Sequence, residues 1–481
     1  MDEQRPPRNE GRQQLPHSEG ELTLSQQSQP DAPNTSPPPE PAKPVTYRQL
    51  LSNPNFRLLW LGQAITTFGS SLTRVAIPIY VFQLTSSYTQ LGLSFFASFV
   101  PALLFGLFAG AFVDRWDRRR TMIYTDLLSG LLLAVLVASA FMPLSQTVHL
   151  GVIYSVIFLS ALLRELFSPA RIAIFTDVVP ERQLLTANSL DQSTFMFGEL
   201  LAFPLASMAL LYLGAEVAFS IDAASFVLSA LLIWGVKVHS SKVERDSSET
   251  TSIWQEIGEG LAIINTIPIL RKIVVLSLFV PFTFMLLGTL QLPYTVDVLK
   301  STEEIGFPAL EAAMSLGLVV GTLLLGRWGQ HVPRWKLVGF GLLSFGLVVV
   351  AIGLVPQIGA FLQIPESPQK TPWSALLFIA LPLIFLQGAT NSLIFTSTRT
   401  IMQEKTPRAA VGRVSSTIGM VSSIGFSAAG LFTGLAENRV DTVIILVGLG
   451  LVITGVFSLW WLRTPPSRAE QLVQTLPEQS F

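Results

Sequence analysis

GAFVDRWDRRR, from Gly110 to Arg120, sets two aspartates and four arginines within seven residues, between two long apolar runs. A charged turn so placed reads as a loop at a membrane surface, with one helix running into it and another running out. The same alternation of apolar run and short polar loop continues through most of the chain.

A bilayer core about 30 Å thick takes about 20 mostly apolar helical residues per crossing. Twelve windows of that kind are predicted, near 58–82, 91–113, 121–142, 150–175, 189–213, 216–236, 272–296, 306–328, 336–356, 374–398, 412–436 and 441–463. The expected fold is an all-α polytopic membrane protein, with twelve transmembrane helices in two six-helix bundles. Composition agrees, because half of the 481 residues are hydrophobic and 13% are Asp, Glu, Lys or Arg, where a soluble domain carries roughly a quarter. Net charge is −1 and the basic residues sit in short, separated loops, which excludes the clustered basic face of a nucleic-acid binder. The chain has no cysteine, so disulfides, iron–sulfur clusters and thiol nucleophiles are excluded together.

Orientation follows from the loop cations. Lys300, Lys370 and Arg439 stand alone on one side, while the lysines and arginines of the even-numbered loops share the other side with both termini. The positive-inside rule makes that basic side cytoplasmic, and the expected location is a bacterial inner membrane. Residues 1–47 are rich in proline and poor in aromatic and β-branched residues, so they are read as a disordered cytoplasmic tail. Residues 48–236 form the first bundle, 237–271 a cytoplasmic linker, 272–463 the second bundle, and 464–481 a C-terminal tail. Within the linker, Trp254, Ile257, Leu261 and Ile264 share one helical face while Gln255, Glu256 and Glu259 point elsewhere. That pattern predicts a helix lying on the membrane surface and tethering the halves.

The halves echo each other. FSPARIAIFTDVVPER follows the fourth span and FTSTRTIMQEKTPRA the tenth, each with an arginine four residues after the first Phe, Arg171 or Arg399. Asp114-Arg115-Trp116 in loop 2/3 finds Gly326-Arg327-Trp328 in loop 8/9. An internal repeat of six spans is the mark of a transporter whose site lies between two bundles. No phosphate-cradling G-x-x-x-x-G-K-[ST] occurs, so an ATP-driven pump is not encoded here. The four histidines are scattered through tail and loops, which gives no metal site. Nothing assembles a catalytic triad, and neither enzyme activity nor a cofactor is expected.

Charges inside spans cost roughly 2.5 to 3.5 kcal/mol or more, so each is a candidate for function. Arg164 and Glu165 in the fourth span and Glu199 in the fifth lie near mid-depth, and Arg74 and Asp222 lie in the outer half. Neighbouring helical positions differ by about 100°, so Arg164 and Glu165 face different partners. The second half has no such cluster.

The stretch Gly110-x-x-x-Asp114-Arg115-x-Asp117-Arg118-Arg119 resembles the signature of the major facilitator superfamily, G-x-x-x-D-[RK]-x-G-[RK]-[RK], which sits between spans 2 and 3 in that family as it does here. FSPA, NSLDQSTF and FSIDAASFVLSAL look like the macrolide-efflux and enterobactin-exporter branch of drug:proton antiporters. The resemblance implies a cytoplasmic gate in which Asp114 faces the start of span 11, near Gly412 to Ser415. Arg115, Arg118 and Arg119 would hold Asp114 and neighbouring carboxylates such as Asp126. Asp117 departs from the pattern, standing where the family has glycine. Arg164 with Ser168 resembles the family's span 4 motif of arginine followed by glycine, and Gly198 and Pro204 are what survives of the span 5 exporter motif.

The expected function is therefore proton-coupled efflux of a lipophilic or amphipathic small molecule (a drug, a macrolide-like compound or a siderophore) by a monomer in the lipid bilayer. Protons are the expected coupling ion, with Glu199 beside Arg164 exchanging them; the bland alternative is a permanent structural ion pair. Two other readings stand beside efflux: a uniporter or importer of an anionic metabolite, clamped by Arg74 and Arg164, and a transporter-like scaffold or sensor that moves nothing.

Overall fold

The computed structural model describes residues 47–113, 116–180, 183–237, 253–329, 332–364, 369–406, 411–437 and 439–463. The side chains of 107–113, Leu185, Met196, Glu199, 253–257, 259–260 and 411–413 fall outside that description.

After a short turn of helix α1 (Tyr47–Leu51), six long helices follow: α2 (Pro54–Thr85), α3 (Tyr88–Val113), α4 (Arg118–Ala140), α5 (Gln146–Val178), α6 (Leu184–Tyr212) and α7 (Ala215–Trp234). The linker contributes α8 (Ile253–Thr266). The second six are α9 (Pro268–Pro293), α10 (Glu303–Trp328), α11 (Arg334–Gly353), α13 (Ala375–Lys405), α14 (Val411–Phe432) and α15 (Val440–Trp461), with a short α12 (Val355–Phe361) after α11. Twelve of these are long and apolar enough to cross a membrane, and each contains or nearly matches one of the predicted windows. Helices extend past the windows because hydropathy marks the hydrocarbon slab, while the helical hydrogen-bond ladder continues to the next cap. α13 runs to Lys405, seven residues beyond its window.

The starts of the helices are written locally. Asn53 precedes Pro54 and its side chain accepts from the backbone N–H groups of Asn55 and Phe56. Ser145 and Ser374 cap α5 and α13 in the same way. Asp117 does so for α4: its carboxylate accepts from the Arg120 N–H at 2.8 Å. The acid that replaces the family glycine is thus an N-cap, meeting one of the N–H groups that a helix start leaves unpaired and facing the positive end of the helix dipole.

Packing repeats between the halves. In the first, α2 packs on α6, α3 on α5, and α4 on α5 and α7; in the second, α9 packs on α14, α10 on α13, and α11 on α13 and α15. The halves meet along α3 with α14 and α6 with α10, which are equivalent pairs under exchange of the two sixes. Two ends can be named by their loops: a basic end, carrying Asp117 and Arg118, and a far end, carrying Lys300. At the far end the loops after α9 and α12 join through a bridge between Ser301 and Thr371.

Lipid gives helices no hydrophobic reason to associate, so they hold through close packing and hydrogen bonds. Glycine supplies the closest approaches. A β-carbon on Gly388 of α13 would fall 2.0 Å from the Met314 carbonyl oxygen of α10, and one on Gly317 would fall 1.9 Å from that of Phe385. Between the halves, a β-carbon on Gly92 of α3 would fall 2.1 Å from the Gly430 carbonyl oxygen of α14. The linker helix is present, and its Ile264 is buried while Leu261 is exposed. α8 packs against α14 and α9, so it is bound to the second bundle as well as joining the two.

Two substitutions test these contacts in detergent-solubilised protein. Gly388→Leu is expected to cost about 1–3 kcal/mol or more and to lower the melting temperature by several degrees, whereas Gly419→Leu, with nothing within 4 Å of the new carbon, should leave it near wild type; equal melting of the two would contradict the backbone contact. Asp117→Ala is expected to cost about 1 kcal/mol through loss of the cap, with Asp117→Asn close to wild type.

Candidate functional site

The basic end is organised by the arginines of the opening stretch. Arg118 Nη1 lies 2.9 Å from Asp177 Oδ2, so the first residue of α4 is clipped to the last turn of α5. Arg119 donates from Nε to the Ile233 carbonyl at 3.2 Å and from Nη2 to the Trp234 carbonyl. It closes the C-terminus of α7, where unpaired carbonyls and the negative dipole end attract a cation. These partners replace the expected ones. Asp126 is buried with 2% exposure and neighbours the Ser229 hydroxyl of α7, rather than Arg118 or Arg119. Its Oδ2 has no hydrogen-bond donor. Gly110 lies on α3 with its surroundings outside the described residues, as are Asp114 and Arg115 themselves.

The second half carries a counterpart. Arg334 Nε, at the start of α11, lies 3.6 Å from Glu404 Oε1 at the end of α13, and Arg334 Nη1 donates to the Gly329 carbonyl at 3.0 Å. The internal repeat therefore reappears as an arginine at the start of one helix clipped to an acid at the end of the next. The counterpart of Arg118 is Arg334; the sequence echo pairs Arg327 with Arg115, which lies outside the described residues.

A second polar layer lies further in. Arg171 of α5 donates from Nη2 to both carboxylate oxygens of Asp191 on α6, at 2.6 and 2.5 Å. The pair lines a cavity of about 240 Å³ with Gln63, Thr67, Gln192 and Phe195. Trp60 Nε1 donates to Thr194 Oγ1 at 3.0 Å beside it. Sequence reasoning quoted the segment holding Asp191 without seeing its role, because the ion pair joins residues on different helices.

The deepest layer gathers most of the predicted charges. Arg164 is exposed. It lies within electrostatic range of Arg74 on α2 and Asp222 on α7. Glu165 turns the other way, its Oε2 facing α3 at 3.3 Å from where a β-carbon on Gly106 would stand. Asp222 is 2% exposed and sits among hydroxyls, with Ser70 Oγ and Ser225 Oγ each 3.2 Å from its Oδ1. Arg74, Glu165 and Asp222 thus all lie within electrostatic range of Arg164, and Glu165 also faces α3. Glu199 lies on α6 with its side chain outside the described residues, so its predicted pairing with Arg164 is not described. In the second half the comparable buried polar groups are neutral, Gln291 and Gln387.

Among the described residues, polar side-chain contacts join the two halves at the far end. At the far end, Gln83 Nε2 of α2 donates to Glu304 Oε1 of α10 at 2.9 Å, and Ser207 Oγ of α6 donates to the Glu304 carbonyl. Phe99 of α3 stacks on Phe426 of α14 with centroids 5.2 Å apart. At the basic end, among the described residues, the side-chain hydrogen bonds and ion pairs of Arg118, Arg119, Lys272 and Arg334 all stay within one half.

The sequence matches the model of the Major Facilitator Superfamily over residues 59–430 and 312–477. It is 24% identical over 385 residues to macrolide efflux protein A of Streptococcus pyogenes, covering 80% of this chain and 90% of that one. To the multidrug efflux pump Tap of Mycolicibacterium fortuitum it is 23% identical over 415 residues, covering 84% and 95%. Among solved structures, the nucleoside transporter NupG superposes with a TM-score of 0.64 at 12% identity, over 86% of this chain and 100% of that one. The chain belongs to the Major Facilitator Superfamily and is a multi-pass membrane transporter rather than an enzyme.

Proposed function

We propose that this transporter exports a lipophilic or amphipathic small molecule by alternating access, driven by inward flow of protons, with its basic end and both termini in the cytoplasm of a bacterial cell. The polar bonds that join the halves at the far end, Gln83 to Glu304 and Ser207 to the Glu304 carbonyl, carry the reading. A substrate arriving from the cytoplasm would then meet the cavity beside Phe195 and, deeper, the guanidinium of Arg164. The relatives named as efflux proteins support export over import.

The coupling chemistry belongs to the first half, where the deep charges lie. A carboxylate in a low-dielectric span holds a proton more tightly than in water, and a nearby guanidinium loosens it. Glu165, adjacent to Arg164 along α5, and Glu199 on α6 are the groups proposed to carry the proton. A permanent ion pair would serve packing alone, so the two readings differ in whether substrate binding moves a proton.

The gate is the opening stretch. Asp114, the residue that follows α3 in the sequence, is proposed to bind the start of α14 when the basic end closes, with Arg118 and Asp177 holding α4 and α5 together. Because the clips of Arg118 and Arg119 tie helices of one half together, that half moves as a unit against the other.

Inverted membrane vesicles loaded with a panel of amphipathic dyes and drugs give the direct test. Uptake that needs a proton gradient is expected, and uptake indifferent to the gradient would remove proton coupling. Asp114→Asn is expected to cut that transport about tenfold, the scale of a lost coupling of about 1.4 kcal/mol, with membrane insertion unchanged; full activity in the variant would remove the gate. Addition of a transported substrate to purified protein should release protons, and Glu165→Gln or Glu199→Gln should abolish the release; undiminished release in both would exclude these carriers.

A further inference from the structure

Pro308 leaves a gap in the hydrogen bonding of α10. A carbonyl inside an α-helix accepts from the N–H four residues on. For Glu304 that residue is Pro308, which lies within the helix and has no N–H to give. The donor comes from the other half, where Ser207 Oγ of α6 donates to the Glu304 carbonyl. The side chain of the same residue is taken up by a second helix of the first half: Gln83 Nε2 of α2 donates to Glu304 Oε1 at 2.9 Å, with Glu303 Oε1 3.5 Å away. One residue thus receives two hydrogen bonds across the seam, from two helices, and the sequence of α10 itself calls for the one to its carbonyl.

Within its own half Glu304 is firmly held. A β-carbon on Gly306 would fall 2.4 Å from Thr295 Cγ2 and 2.6 Å from Ser301 Oγ, so the first turn of α10 packs tightly on the turn after α9. Ser301 Oγ donates to the Pro372 carbonyl at 2.9 Å, and the Thr302 N–H to the Thr371 carbonyl at 3.2 Å. From the same loop Lys370 acts electrostatically on the Glu304 carboxylate. The start of α10 therefore moves with its half, and any parting of the far end must break the bonds to Gln83 and Ser207. Glu304 lies in the first turn of its helix, where water can stand in for both donors once the halves separate. An orphaned carbonyl deeper in a span would have no such substitute.

We propose that Glu304, clasped by Gln83 and Ser207, is the outer latch of this transporter: it holds the far end shut, and its release lets the substrate leave. The inference rests on the transport reading and adds to the gate at Asp114 a partner at the opposite end. Glu304 acts through the placement of α10 rather than on the substrate, so it is a positioning residue. Pro308 belongs to the device, because an N–H at that position would satisfy the carbonyl within α10 and make Ser207 dispensable.

Opening of the far end can be measured directly. The chain has no cysteine, so Phe141→Cys just after α4 and Phe361→Cys at the end of α12, exposed at 77% and 86%, take spin labels on opposite halves of the full-length protein in lipid nanodiscs. In pulsed electron-spin distance measurements, Gln83→Leu and Ser207→Ala are each expected to raise the ratio of long-distance to short-distance populations about fivefold, the scale of one lost hydrogen bond. In a Pro308→Ala background, Ser207→Ala should add about twofold or less, because the pair then no longer interacts. An unchanged distribution in either single variant overturns the latch, as does a Ser207→Ala effect that Pro308→Ala leaves undiminished. Far-end opening in the variants, without transport of any dye in the vesicle assay, upholds the latch and removes the export reading. Gradient-driven dye transport with unchanged distances does the reverse.

Discussion

A bilayer interior offers no hydrogen bonds, and the fold is arranged around that lack. Every backbone N–H and carbonyl within a span must find its partner inside the protein. Helices meet the requirement for the backbone, and the side chains then decide which helices must lie together. Arg119 fixes α4 against the end of α7 because the last carbonyls of α7 need donors there. Arg118 ties α4 to α5 through Asp177, and Arg334 ties α11 to α13 through Glu404 in the second half.

The polar groups of the first half are stacked in depth. The clips of Arg118 and Arg119 come first, then the Arg171 and Asp191 pair with its cavity, then Arg164 with Arg74 and Asp222. The second half has neutral glutamines at comparable burial, Gln291 and Gln387. The two bundles share most of their helix pairs, but the extensive packing of α2 on α7 has no equal between α9 and α15, and their electrostatics differ.

Much of this was legible in the sequence. Hydropathy located all twelve spans because a crossing helix must be apolar over a fixed length, whatever it packs against. Loop cations gave an orientation, and the positions of Arg74, Arg164 and Asp222 followed from counting residues along each span. Their pairing did not, since Arg118 finds Asp177 at a separation of 59 residues and nothing local encodes the meeting. Arg171 and Asp191 were missed for that reason. Asp117 is a different kind of miss: an aspartate directly before a helical run is a common cap, and the signal was hidden by comparison with a family pattern that expects glycine. The hydroxyls around Asp222 were present as Ser70 and Thr73 on one turn of the first span and Ser225 three residues beyond the acid, but only the contact of two helices brings them to the carboxylate.

The bare crossing of Gly92 and Gly430 has a mechanical consequence. α3 and α14 bear on each other backbone to backbone there, with Thr433 beside Gly92 and the stack of Phe99 on Phe426 further along the same two helices. The contact is also off-centre, about 6 Å from the far end of α3 and about 30 Å from its basic end by helical rise. It acts as the fulcrum of an unequal lever. A tilt of about 10° would shift the far end by about 1 Å and the basic end by about 5 Å, so a small rearrangement on one face of the membrane becomes a wide one on the other.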